Sequence, residues 1–410
     1  RFQNKALISA TPIVPEKDSR FDGFMRVLIQ PDYVYRQKLK LITTNNVLET
    51  LQEVIEAKRG TVCIFCNSID SIDSFYRLIP ELSNACTFCS EDGQYKLWKG
   101  NRRKKSMMIT ELERYNFFTS RFYSAVDILC KNPPHVIFVS DLYGAAQSVI
   151  DPATEAIQII GRFRGGVNSV THIASIRPEL ECMSSSEIDH WIQGASTIFN
   201  GWKAQLARTT NIGERTLLQE AIGENSYLPY LDENGKPDSF LIANFYEKEQ
   251  VKRLYTSADL LHLAYEQTGY FVFSHEERLM PVSDNERMAI QHRLAKKKRA
   301  ELIVRKPEEM EKMSRATDKK IQKRYQRMLM NLITSTADRY IYDCFCRFGA
   351  EFVREADYNE NKLRTALNVS SEHTIKKSGQ MRTYIQRAFP VGAEISVQEA
   401  KSMLRQVYKK

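Results

Sequence analysis

Hydrophobic and polar positions change period several times along this chain, and the changes outline its elements. Lys5-Ala-Leu-Ile-Ser-Ala-Thr-Pro12 reads as a strand stopped by its proline. Residues 13 to 41 show no clear period and read as a linker. Asn46 then caps a helix in which Val47, Leu48, Leu51, Val54 and Ile55 recur at the spacing of one helical face. Thr61-Val-Cys-Ile-Phe-Cys66 is a short apolar strand, Ser71 to Leu82 an amphipathic helix, and Ala85-Cys-Thr-Phe-Cys89 a second strand. Lys99 to Lys105 is a basic loop. Strands follow at Asn116 to Ser120 and His135 to Ser140, then a helix around Gln158, then a strand from Val170 to Ile176.

Strands that alternate with helices build parallel βαβ units, so one α/β sheet domain is expected over residues 41–177. From Pro178 onward the pattern is mainly helical, with Phe271-Val-Phe-Ser274 as the one strand candidate. Ser396-Val-Gln-Glu399 matches a capping box and opens a helix with Val397, Ala400, Leu404 and Val407 on one stripe. The order of parts expected is a terminal strand segment (1–12), a linker (13–40), the sheet domain (41–177), a helical accessory region (178–290), a basic helical segment (291–330) and a helical C-terminal domain (331–410). A chain of 410 residues is long enough for two or three domains.

Composition narrows the classes. A hydrophobic content of 42% fits a soluble globular protein, and no stretch approaches 18 uninterrupted apolar residues, so no membrane span is expected. No charged-then-apolar leader opens the sequence, and the eight cysteines are too sparse for a disulfide scaffold; an intracellular, cytoplasmic setting with reduced thiols is expected. The net charge of +9 is concentrated: residues 291–330 hold 14 Lys/Arg against 5 Asp/Glu, which suits either a polyanion or a solvated helical surface. Tyr325 is the only aromatic residue in that strip, which argues for backbone electrostatics over base stacking.

The densest chemistry lies at Gln158-Ile-Ile-Gly-Arg-Phe-Arg-Gly-Gly166. Asp151-Pro152 reads as a helix start, with Asp as N-cap and Pro at the first helical position. On that helix Gln158, Gly161 and Arg162 fall at i, i+3 and i+4 and share a face. The glycine lets another surface approach, and Gly165-Gly166 ends the element. A glutamine and two arginines, Arg162 and Arg164, around a small residue make a polyphosphate site, because a guanidinium stays charged and grips phosphate oxygens with a planar fork.

This spacing resembles motif VI (Q-x-x-G-R) of superfamily 2 helicases. Three more runs resemble motifs of that family in the right order: Ser9-Ala10-Thr11 (motif III), Ile64-Phe65-Cys66-Asn67-Ser68 (motif IV), and Thr119 through Asp127 (motif V). The resemblance covers about residues 5 to 177, and the Gly-Arg-Phe-Arg form is most similar to helicases of DNA viruses and mobile elements, including the herpesvirus origin-binding helicase. It implies a RecA-like fold in a prokaryotic, phage or viral setting. It further implies that Ser9 and Thr11 couple the nucleotide and nucleic-acid sites, and that Asn67, Ser68, Thr119 and Ser120 contact the phosphate backbone. Asp127 would lie near the ATP ribose with Gly161 also at the ATP, Gln158 and Arg162 would face the cleft as catalytic groups, and Arg162 or Arg164 would be the arginine finger, a group worth roughly 10³–10⁵ in rate. Arg102 and Arg103, in the basic loop, would guide a nucleic-acid strand or simply solubilise the loop.

Two residues depart from the family: Ala125 stands where a glycine is usual, and Arg164 follows Arg162 by two positions in place of three. No G-x-x-x-x-G-K-[ST] loop or DEAD-like box is present. The chain is therefore expected to be the C-terminal portion of an ATP-dependent helicase. ATP and Mg²⁺ would be held mainly by an N-terminal helicase domain in cis or trans, and this chain alone would be inactive. The expected partner is nucleic acid, DNA more than RNA. The alternative class is a non-catalytic nucleic-acid-binding or partner-regulating module. A third reading rests on Cys63, Cys66, Cys86 and Cys89, spaced C-x₂-C-x₁₉-C-x₂-C like a zinc ribbon. Within strands, i and i+3 point to opposite faces, so core cysteines are favoured and no metal is expected.

Overall fold

The structure is a computed structural model that describes residues 8–11, 32–98, 104–109, 111–291, 296–314, 319–333, 335–376 and 395–407, with isolated positions 25, 27, 29, 387 and 389. Residues 1–285 and 286–410 form two compact units.

The first unit is built on eight strands: β1 (Gln37–Thr44), β2 (Val62–Phe65), β3 (Cys86–Phe88), β4 (Lys104–Ser106), β5 (Tyr115–Phe118), β6 (His135–Ser140), β7 (Ser169–Ser175) and β8 (Phe271–Arg278). All pairings are parallel, in the order β4-β3-β5-β2-β6-β7-β1-β8. Every residue of β2 and β5 is buried, because helices cover both faces of the sheet and erase the period of two. One face carries α1 (Val47–Glu56), α2 (Ile69–Leu78) and α3 (Glu91–Trp98), whose Leu51, Phe75 and Leu97 pack with Ile64, Phe117 and Ile137. The other face lies under α4 (Glu155–Gly161). The pair α5 (Ser185–Arg208) and α6 (Ile212–Gly223) precedes α7 (Ser239–Leu254) and α8 (Ala258–Gln267). Ile159, Phe163, Tyr255 and Leu261 pack there with Leu41, Phe65 and Phe138. The α/β class with a mainly helical C-terminal region is thus present.

Two elements differ from the expected pattern. β1 begins inside the stretch that reads as linker, at Gln37, and runs into the expected sheet domain. Its Lys38-Leu39-Lys40-Leu41 alternates, with both leucines buried, both lysines exposed, and Lys40 reaching Glu276 of β8 at 2.5 Å. Residues 178–285 do not stand apart from the sheet, because β8 returns to pair with β1 over eight residues. Of the expected first strand only Ile8 to Thr11 are described, and they are not strand.

A buried polar relay ties the helical return to the sheet. Tyr265, His172, Ser140 and Tyr255 are all fully buried. Burial holds the His172 pKa down to about 3, so the ring is neutral. One proton arrangement satisfies the whole chain. Tyr265 donates to Nδ1 (2.7 Å), Nε2–H donates to Ser140 Oγ (3.1 Å), and Ser140 donates to the Tyr255 oxygen (3.1 Å). Tyr255 then donates to the Ile150 carbonyl (2.7 Å) while accepting from the Ile150 N–H (2.9 Å).

The second unit contains only helices among its described residues. α9 (Asp284–Gln291) leads from the first unit into it, followed by α10 (Lys296–Ser314), α11 (Lys319–Leu332), α12 (Thr336–Glu355), α13 (Glu360–Lys376) and α14 (Val397–Val407). The capping box expected at the start of α14 is present, Ser396 with Glu399. Ile303, Val304, Ile341, Cys344, Val353 and Leu363 form the core. Gly349 breaks α12 at φ 85°, ψ 171°, a conformation essentially reserved for glycine.

Replacing Tyr255 by Phe leaves three buried polar groups short of a partner; we expect it to cost about 2–3 kcal/mol in denaturant unfolding, and a loss under about 0.5 kcal/mol would contradict the relay.

Candidate functional site

The site is centred on α4. Asp151 acts one turn earlier than the sequence implies: the helix begins at Glu155, and Thr154 holds the N-cap position. Asp151 organises the preceding turn, its Oδ1 accepting from the Ala153 N–H (3.0 Å) and its Oδ2 from the Thr154 hydroxyl (2.5 Å). Its own N–H donates to Glu155 Oε2 (3.0 Å). The helix closes at Gly161 with Arg162 as C-cap, ahead of Gly165-Gly166, where Gly166 has φ 78°.

Ala156, Ile159, Ile160 and Phe163 are buried against the sheet, which turns Gln158, Gly161 and Arg162 to the outer face. Arg162 is held there at three points. Its Nε donates to the Gln158 carbonyl (3.0 Å), one terminal nitrogen to Gln158 Oε1 (3.3 Å), and the other to the Val126 carbonyl (3.3 Å). Gln158 Nε2 donates in turn to the Thr11 hydroxyl (2.7 Å), and the Thr11 N–H donates to Ser9 Oγ (3.1 Å). Segments distant in sequence, 9–11, 125–128 and 158–162, are therefore joined by hydrogen bonds through Gln158 and Arg162. The Ile128 N–H also bonds the Arg162 carbonyl (2.9 Å). Ala125, ahead of this contact, has φ 60°, the left-handed bend that suits glycine and that an alanine occupies at some strain. A Cβ on Gly161 would meet no atom within 4 Å, so the glycine leaves open space on the outer face.

Arg164 is placed differently. Its Nε pairs with Asp127 Oδ1 at 2.9 Å, and the two side chains are 61% and 51% exposed. Such a surface pair contributes at most about 1 kcal/mol. Asp127 is therefore a partner of Arg164 here, and the two expected finger candidates are unequal: one braced, one in solvent.

The motif-like residues at strand ends share the carboxyl edge of the sheet, where open α/β sheets bind ligands. Asn67 and Ser68 follow β2, and Thr119 and Ser120 follow the adjacent β5. Two of the four have occupied hydroxyls. Ser68 is buried and caps α2 by accepting from the Ser71 N–H (3.0 Å). Thr119 is buried, with its N–H (3.1 Å) and hydroxyl (3.4 Å) on the Phe88 carbonyl. Asn67 is half-buried and Ser120 exposed, so these two reach solvent. Arg102 and Arg103 lie outside the described residues; Lys104 opens β4, an edge strand.

Sequence reasoning missed Asp141, at the end of β6. Its Oδ2 accepts from Ser71 Oγ (2.9 Å) and its Oδ1 from the Gly144 N–H (3.1 Å), and a Cβ on Gly144 would stand 2.3 Å from Oδ2. The Asp-x-x-Gly spacing was its signal. The cysteine quartet is split between layers: Cys63 and Cys86 lie on the α4 side and Cys66 and Cys89 on the α1 side, so four thiolates cannot converge on one ion.

Glu155, mostly buried under this site, has its pKa pushed up to about 7 by burial and by the charges of Asp151 and Glu247, against the Asp151 N–H bond and Lys248.

Comparison of the chain with protein-family models, with curated proteins and with solved structures finds no match.

Because the folded state favours the neutral acid, stability is fully present below about pH 4.5 and is lost as pH rises through 7. Glu155→Gln keeps an acceptor for the Asp151 N–H without the charge. We expect it to unfold at higher denaturant than the unaltered protein at pH 8–9, by about 2–3 kcal/mol, with the difference vanishing near pH 4.5. An equal difference at both pH values would contradict the assignment.

Proposed function

We propose that this chain is the arginine-bearing part of an ATP-dependent nucleic-acid helicase or translocase, with Arg162 as the nucleotide-contacting arginine. The observation that carries the reading is the hydrogen-bonded path Thr11–Gln158–Arg162–Val126. The path links the motif III-like, V-like and VI-like runs, which is what coupling between a nucleotide and a gripped strand requires. Three of the five N–H donors of Arg162 are used in holding it, and the other two meet no acceptor among the described residues. A cation braced in this way is preorganised for the charge that develops on a transferring phosphoryl group.

The chain holds no phosphate loop, so ATP and Mg²⁺ are assigned mainly to a phosphate-loop domain supplied in cis or trans. Asn67, Ser120 and the main chain at the strand ends would hold the backbone of the nucleic acid, DNA in preference to RNA, without base specificity. Arg164, released from Asp127, could follow the phosphates as a second cation. No helix among the described residues is long and apolar enough to cross a membrane.

With a phosphate-loop domain present, we expect Arg162→Ala to lower nucleic-acid-stimulated ATP turnover by about 10³-fold or more, and Arg164→Ala far less. Full turnover with Arg162→Ala would remove the assignment to Arg162, and full turnover with both arginines replaced would leave the non-catalytic binding module as the better account.

A further inference from the structure

The second unit is strongly cationic. Residues 286–410 hold 28 Lys/Arg against 15 Asp/Glu, whereas residues 1–285 hold 31 against 35. The excess of the whole chain therefore lies in the helical unit, with the sheet unit slightly acidic. α11 is its most one-sided element: Lys319–Leu332 contains five Lys/Arg and no Asp or Glu. Met328 and Leu329 are buried, while Lys323 and Arg327, one turn apart, are exposed.

Beside that basic flank lies a cavity of about 620 Å³, within the range of about 300–1,000 Å³ of small-molecule sites. α11 contributes Gln322, Tyr325 and Gln326 to its wall, and α12 contributes Tyr342 and Phe345 opposite. Sequence alone gives the basic strip a single aromatic residue, which argues against stacking. The fold supplies two more, because α10 packs on both α11 and α12 and holds them to either side of the cavity. Among the described residues none of these three rings stacks on another aromatic ring. The lining contains one acid, Glu308, and it is paired with Arg354 at 2.8 Å. Aromatic faces, side-chain amides and flanking cations together match the three parts of a nucleotide in a single strand: base ring, base edge and phosphate.

We propose that this cavity receives an unstacked base of single-stranded nucleic acid, with Tyr325, Tyr342 and Phe345 as stacking surfaces and Lys323 and Arg327 on the neighbouring phosphates. Gln322 and Gln326 would meet the edge of the base. The site lies in the unit that lacks the motor-like motifs and does not rest on the motor reading, so its test needs neither ATP nor a phosphate-loop domain.

The test is fluorescence anisotropy of the full chain with a fluorescein-labelled oligothymidylate of about 20 nucleotides. Tyr342→Ala and Phe345→Ala should each weaken binding about 5- to 150-fold, with Tyr342→Phe close to the unaltered chain. Lys323→Ala with Arg327→Ala should lower the slope of log affinity against log salt by about 1.4. Photo-crosslinking of a 5-iodouridine strand to the unaltered chain provides a readout that does not depend on any variant folding, and it should label Tyr325, Tyr342 or Phe345. Unweakened binding by folded aromatic variants, a purely electrostatic loss confined to the lysine and arginine pair, or crosslinks confined to other residues would each overturn the proposal.

Discussion

The hydroxyl of Tyr255 carries a constraint on which the arrangement of the sheet unit depends. An all-parallel sheet must bury both faces, and here one face is covered by elements separated by about a hundred residues, the short α4 and the later α7–α8 return. Apolar packing alone would let such a short helix slide or rotate. Tyr255 bonds both the N–H and the carbonyl of Ile150, just ahead of the Asp151 turn that starts α4, and is itself held through Ser140, His172 and Tyr265. A register fixed from inside leaves the outer face of α4 free to display polar chemistry. The guanidinium of Arg162 can then be braced by Gln158 and the Val126 carbonyl in place of a local carboxylate.

This contrast separates the two arginines physically. A guanidinium on backbone and amide oxygens keeps its full positive charge facing outward, whereas one on a carboxylate is locally neutralised. Arg162 is in the first state and Arg164 in the second. The acidic sheet unit and basic helical unit divide in a similar way. Under the proposed function, long-range attraction for a polyanion would fall to residues 286–410 and short-range contacts to the strand ends of the sheet unit.

Much of this was legible in the sequence, and the reasons are local. The Gln158, Gly161 and Arg162 face follows from helical geometry, and the opposite-face argument for Cys63 and Cys66 follows from strand geometry; neither needs tertiary information. β1 was hidden because Lys38 and Lys40 interrupt an apolar run, although their alternation with Leu39 and Leu41 is the period of a strand with one polar side. The roles of Ser68 and Thr119 were not legible. A hydroxyl at a strand end looks the same in sequence whether it meets a ligand, a helix N-terminus or a neighbouring carbonyl. The cavity beside α11 was invisible for a different reason: Tyr342 and Phe345 come to line one cavity with Tyr325 only through helix packing, and a count of aromatics in one window cannot register that.

The most direct test of the account is the energetic coupling between Gln158 and Arg162, measured by a double-mutant cycle of Gln158→Ala and Arg162→Ala in denaturant unfolding of the chain. If the glutamine holds the arginine in place, the two losses should be non-additive by about 0.5–1.5 kcal/mol. Losses that add to within about 0.3 kcal/mol would mean that the Gln158 side chain does not hold Arg162, and the Thr11–Gln158–Arg162 path at the centre of this account would be contradicted.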